Sequence, residues 1–120
     1  MDILVVDDEA GSRSQLTDFL RRAGYSVGEA SGGMEALEMI AGEECRLIIT
    51  DQRMPRMTGI ELLDRVRLRS AASIPVIIIT AFTDINTVIE AMRAGASDYM
   101  FKPVNVAELL VTVERLLFKG

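Results

Sequence analysis

Three observations in the sequence predict an α/β fold with strand and helix repeated five times, (βα)5, around a doubly wound five-stranded parallel sheet. Short β-branched apolar runs alternate with longer stretches whose apolar residues recur at helical spacing. Strands separated in this way cannot pair as hairpins, so each connection is a crossover and helices cover both faces. The runs themselves are almost continuously apolar, as suits strands buried on both sides. With 120 residues, 49% of them apolar, the chain fits one domain over 1–120. Such a domain has a radius of gyration of about 14 Å.

The elements follow in order. Ile3-Leu4-Val5-Val6 is the first strand. Leu16, Phe19, Leu20 and Ala23 then mark one face of a helix at i, i+3, i+4, i+7, and Gly24 stands where a left-handed cap would end it. Tyr25 to Ala30 is the second strand and Met34 to Ala41 a short second helix. The third strand is Leu47-Ile48-Ile49, and the third helix, Ile60 to Leu68, is opened by the capping box Thr58-x-x-Glu61. Val76 to Ile79 is the fourth strand, far short of the roughly 20 residues that cross a bilayer. Ile85, Val88, Ile89 and Met92 mark the fourth helix, closed by Gly95. Tyr99-Met100-Phe101 is the fifth strand. The fifth helix carries Leu109, Leu110, Val113, Leu116 and Leu117 in one stripe, opens on Asn105-x-x-Glu108 and runs toward Lys119-Gly120.

Composition narrows the chemistry. The 13 Lys+Arg against 18 Asp+Glu leave a net charge of −5, which argues against direct binding of nucleic acid. No histidine is present, so a Ser-His-Asp triad, a Cys-His dyad, a His-ligated zinc and a histidine phosphocarrier are all excluded. The single Cys45 forms no internal disulfide, Met1-Asp2 opens no signal peptide, and no membrane span is expected. A reducing, cytoplasmic setting is the expectation.

The polar residues stand at the carboxyl ends of the expected strands: Asp7 and Asp8 after the first, Asp51 after the third, Thr80 after the fourth and Lys102 after the fifth. Ligands of open parallel sheets bind along that edge, in the crevice where strand order reverses. If the order is 2-1-3-4-5, the crevice lies between strands one and three and gathers Asp7, Asp8 and Asp51. Crowded carboxylates repel unless a cation sits among them. A hard, oxygen-liganded ion such as magnesium, with manganese as the alternative, suits the donor set, and a phosphoryl group can join such a site.

Asp7-Asp8, the segment Asp51-Gln52-Arg53-Met54-Pro55-Arg56-Met57-Thr58-Gly59, Thr80-Ala81, Tyr99 and Lys102-Pro103 together resemble the receiver domain of two-component response regulators, the CheY-like family with its flavodoxin-like strand order 2-1-3-4-5. The resemblance spans essentially the whole chain. It implies that Asp51 is the phosphoryl acceptor and that Asp8, Asp51 and the backbone carbonyl of Arg53 ligate the metal, with Asp7 acting through water. It further implies that Thr80 and Lys102 contact phosphoryl oxygens, that Tyr99 is the switch aromatic, and that the Lys102-Pro103 bond is cis. Family members take phosphate from a sensor histidine kinase or phosphotransfer protein. For this chain the expectation is control of an output domain or partner through the face of the fourth helix, fifth strand and fifth helix, with a phosphorylation-dependent homodimer through the same face. The context of Arg53 and Asp98-Tyr99 resembles NtrC-type receivers, which suggests the front of a longer regulator, and Phe82 beside the site is expected to restrict access to it.

Plainer readings exist for each residue alone. Asp7 or Asp8 is suited to cap the first helix, Asp51 to a turn, Thr80 to a strand and Tyr99 to packing, while Lys102 alone is a solvated lysine. Independent caps and turns have no reason to converge on one edge, so joint placement favours the site. A phosphorylation-independent binding module and a magnesium phosphohydrolase are the competing functions; the second lacks a general base and an Asp-x-Asp motif. On the leading reading the chain is no enzyme beyond its own phosphorylation and slow dephosphorylation. Cys45 reads as inert, Arg65, Arg67 and Arg69 as a solvated series, the Met residues as core filling, and Val104, Val106 and Phe118, where exposed, as a partner surface.

Overall fold

A computed structural model of the chain describes residues 1–69, 73–81 and 83–118. Strands and helices alternate throughout: β1 (Ile3–Val6), α1 (Ala10–Arg22), β2 (Val27–Ala30), α2 (Gly33–Gly42), β3 (Ile48–Thr50), α3 (Gly59–Arg69), β4 (Val76–Thr80), α4 (Ile85–Arg93), β5 (Asp98–Phe101) and α5 (Val106–Leu117). The strands form one five-stranded sheet in the order β2-β1-β3-β4-β5, and every neighbouring pair is parallel.

Period-two alternation divides the core in two. Leu4, Val6, Ile48 and Ile78 face α2, α3 and α4, where they meet Leu37, Leu62, Leu63 and Ala91. Ile3, Val5, Ile49, Ile77 and Ile79 face the opposite way, onto Leu20 of α1 and Leu109, Val113 and Leu117 of α5. Each fully buried Leu or Ile contributes about 1.5–3 kcal/mol of transfer free energy, and the central strands carry such residues on both faces. The Cα radius of gyration is 12.9 Å.

Helix ends account for the small departures from the expected boundaries. Gly24 N–H donates to Arg21 O and Tyr25 N–H to Leu20 O, closing α1 in a Schellman motif with Gly24 at φ 101°. Tyr25 therefore belongs to the cap, and β2 begins two residues later than its apolar run. Gly95 and Ala96 close α4 in the same way on Met92 O and Ala91 O. At α3 the capping box is complete, with Glu61 N–H donating to Thr58 Oγ1 and Thr58 N–H to Glu61 Oε1. Asn105 caps α5 by accepting from Glu108 N–H.

Of the four stripe residues of α4, Ile85, Ile89 and Met92 are exposed and Val88 is half-buried, while the buried residue of the helix is Ala91. One expectation is corrected. Arg67 is not part of a solvated series, since its guanidinium donates to Ile74 O (2.6 Å) and Gly95 O (3.0 Å) and ties α3 to the approach to β4 and the end of α4. Cys45 is buried, and burial pushes its thiol above the ordinary range, which keeps it protonated. Among the described residues no helix is long and apolar enough to cross a membrane.

Candidate functional site

Strand order reverses between β1 and β3, so the helices that follow them leave on opposite faces and a crevice opens at the carboxyl edge. The backbone continues past both strands in ladder-like bonds. Asp7 N–H donates to Ala30 O and Asp51 N–H to Val6 O, which sets both residues at the crevice mouth. There the carboxylates of Asp7, Asp8 and Asp51 converge, with one oxygen from each lying within 4.8 Å of the others. Asp7 is buried, Asp51 half-buried and Asp8 exposed.

Lys102 reaches this cluster from the end of β5, where its own N–H donates to Thr80 O. Its Nζ lies 3.1 Å from Asp51 Oδ2, 3.2 Å from Asp7 Oδ2 and 3.1 Å from Ser12 Oγ. Burial pulls the ammonium toward neutrality, but the hydrogen bond and charge of Asp51, followed by those of Asp7, outweigh it and hold the pKa above that of an ordinary lysine. Lys102 is thus charged and partly neutralises two of the three acids. The Lys102-Pro103 peptide bond is cis.

Several contacts that support the site carry no signal at the level of sequence. Neither Asp7 nor Asp8 caps α1; Glu9 does, accepting from Gly11 N–H and Ser12 N–H, while Asp7 Oδ1 accepts from Glu9 N–H. Glutamate is not among the favoured N-caps, so the sequence pattern points to the wrong acid. Arg13 Nη1 donates to Asp7 O at 2.7 Å and its Nε to Glu29. The buried Gln52 accepts Gly59 N–H on its carbonyl and Ile60 N–H on Oε1, which pins the segment after Asp51 to the start of α3. Within that segment Arg53 N–H donates to Asp51 Oδ1 (3.3 Å), and Met57 N–H closes on Pro55 O around Arg56 at φ 70°. Asp51 is therefore a turn residue as well as a member of the cluster.

An open cleft of about 300 Å³ leads to Asp51 and is lined by Asp51, Arg53, Thr80, Ala81 and Lys102. Thr80 is buried at the end of β4. In the β4–β5 register Ile78 pairs with Tyr99 and Thr80 with Phe101, so both aromatics stand beside β4 on one face, their rings edge to face at 5.5 Å. Burial raises the Tyr99 phenol above its usual pKa, and the charges of Asp51 and Asp84 add to the effect. Phe82 and Lys119-Gly120 lie outside the described residues.

Residues 3–114 match the family described as the response regulator receiver domain. The chain belongs to this family. The receiver domain is 39% identical over 117 residues to the transcriptional regulatory protein ZraR of Escherichia coli (strain K12), across 98% of the chain and 26% of ZraR. It therefore spans about a quarter of the length of that curated relative. Among solved structures it superposes on the receiver domain of NtrX from Brucella abortus with a TM-score of 0.91 at 32% identity, covering 99% of this chain and 100% of that one. On the Vibrio cholerae chemotaxis protein CheY4 the TM-score is 0.90 at 35% identity, covering 97% and 98%. The CheY-like fold and the family drawn from the motifs both agree with these likenesses.

Proposed function

We propose that this receiver domain is the phosphoacceptor switch of a two-component system, with Asp51 as the acceptor. The observation that carries the reading is the convergence of Asp7, Asp8 and Asp51 on one point, with Lys102 Nζ 3.1 Å from Asp51 Oδ2. An Asp51 carboxylate oxygen attacks the phosphorus of a phosphohistidine on a sensor kinase or phosphotransfer protein. The new O–P bond forms as the P–N bond breaks, and the imidazole leaves with the electron pair and takes up a proton. The donor histidine is necessarily external, because this chain has none.

The residues present fit a divalent metal. Three carboxylates and one ammonium leave a charge of −2 in a site built of hard oxygen donors. Asp8, Asp51 and the carbonyl of Arg53 would hold magnesium, or manganese, directly and Asp7 through water. A metal held there supplies neutralisation for the transferring phosphoryl oxygens. Lys102 stabilises the same developing charge from the β5 side, and Thr80, which lines the same cleft, donates its hydroxyl to a phosphoryl oxygen. Phosphorylation replaces the single charge of Asp51 by about −2. Movement of Thr80 toward that charge frees space beside β4 for Tyr99, which repacks the α4–β5–α5 face. The exposed Ile85, Ile89, Met92 and Phe101 on this face support its use by an output domain or a second copy of the chain.

Intact mass after incubation with acetyl phosphate and magnesium tests the assignment. A single phosphoryl adduct is expected on the wild type, and none on Asp51→Asn or without metal. An adduct of equal yield on Asp51→Asn overturns it, and no adduct on the wild type favours a phosphorylation-independent binding module.

A further inference from the structure

Lys102 makes a third contact that the carboxylate cluster does not explain. A lysine ammonium has three N–H donors. Two go to Asp7 and Asp51, and the third goes to Ser12 Oγ in the first turn of α1, 90 residues away in sequence, at 3.1 Å. On that side of the ammonium the alternatives are poor. A groove of about 320 Å³ between α1 and the β5–α5 connection is lined mainly by apolar side chains, among them Leu16, Phe19, Ile79 and Val104. A small void of about 20 Å³ beside Asp7, Ser12, Asp51 and Lys102 has room for roughly one water.

We propose that the Ser12 hydroxyl is a positioning group for Lys102, anchoring Nζ over Asp51 while the ammonium exchanges its bond to the Asp51 carboxylate for one to the incoming phosphoryl group. The proposal rests on the assignment of Asp51 as acceptor. A neutral oxygen suits the task because it holds the ammonium without adding a charge that competes for it. Glu9 holds the backbone that carries the hydroxyl: its Oε2 accepts Ser12 N–H at 2.6 Å, so the first turn of α1 is itself tied down. The fixed anchor matters because a four-carbon side chain otherwise samples many rotamers at the moment of transfer.

Phosphorylation by acetyl phosphate, followed by intact mass, is compared for the wild type, Ser12→Ala and Ser12→Thr. The maximal rate constant of Ser12→Ala is expected to fall about tenfold, the size of one lost hydrogen bond to a charged group, with the half-saturating concentration unchanged. Ser12→Thr, which keeps the hydroxyl, is expected to restore the wild-type rate. In the metal-free proteins the two Hε protons of Lys102 should give separate NMR signals in the wild type and Ser12→Thr, and one averaged signal in Ser12→Ala. A wild-type rate in Ser12→Ala, a Ser12→Thr as slow as Ser12→Ala, or Lys102 signals indifferent to Ser12→Ala each overturn the proposal. A wild type that takes no phosphoryl group overturns the Asp51 assignment itself, a result distinct from any of these.

Discussion

Asp51 is positioned by backbone packing as much as by its side-chain bonds. Its N–H is held by Val6 O, and the start of α3 presses against its carbonyl at Gly59, where an added Cβ would come within 2.5 Å of Asp51 O. Backbone atoms cannot yield as a flexible side chain can. Gly59→Ala is therefore expected to destabilise the fold by about 1–3 kcal/mol through overpacking, although alanine is the better helix former by about 1 kcal/mol. A lowered urea midpoint checks this, and an unchanged midpoint would show that the α3 start relaxes freely. At this scale Asp7, Asp8, Asp51, Thr80 and Lys102 were legible, because each is a polar residue at the end of an apolar run. The contacts of Ser12, Arg13, Gln52 and Gly59 were not, since what each touches is a backbone atom or a residue far along the chain, and no spacing encodes such partners.

Helical periodicity identifies a stripe without saying which way it faces. On α1 the stripe of Leu16 and Leu20 turns inward and carries Thr17 with it, fully buried and with no hydrogen-bond partner for its hydroxyl among the described residues. Thr17→Val keeps the shape and removes that oxygen, so it should raise stability by about 1 kcal/mol, seen as a higher denaturant midpoint at unchanged slope. On α4 the stripe of Ile85, Ile89 and Met92 turns outward, and it is Ala91 that is buried in the core. With Phe101 it leaves an apolar surface whose burial would favour pairing, and phosphorylation is expected to shift sedimentation toward a dimer. An Ile89→Lys variant that still dimerises to the wild-type extent would move the contact elsewhere.

For the molecule as a whole, the acidic edge trades stability against ligand binding. Lys102 bonds Asp7 and Asp51 but not Asp8, which stands exposed beside them. Asp8→Asn is expected to raise the metal-free melting temperature by relieving repulsion, and to abolish the rise with magnesium that the proposed site predicts for the wild type. At 100 times its dissociation constant that ion would stabilise the fold by about 2.7 kcal/mol. Stability at high pH follows from Lys102. Its folded pKa lies above the ordinary 10.5, so its contribution is complete below that value and disappears as pH rises through the folded value. A pH titration of the urea midpoint should show an alkaline loss that is smaller in Lys102→Met.

The sequence by itself determined the alternation of five strands and five helices, the parallel sheet and the family, since period, breakers and caps are local properties of the chain. It also placed Asp7, Asp51 and Lys102 on one edge, because the carboxyl ends of parallel strands share that edge. Only the tertiary structure decided which acid caps α1, which way the α4 stripe points, and that Ser12 joins Asp7 and Asp51 around the Lys102 ammonium. The cap is settled by Asp7, whose Oδ1 is taken up by Glu9 N–H, and the other two outcomes by how helices seat on the sheet, which joins segments up to 95 residues apart.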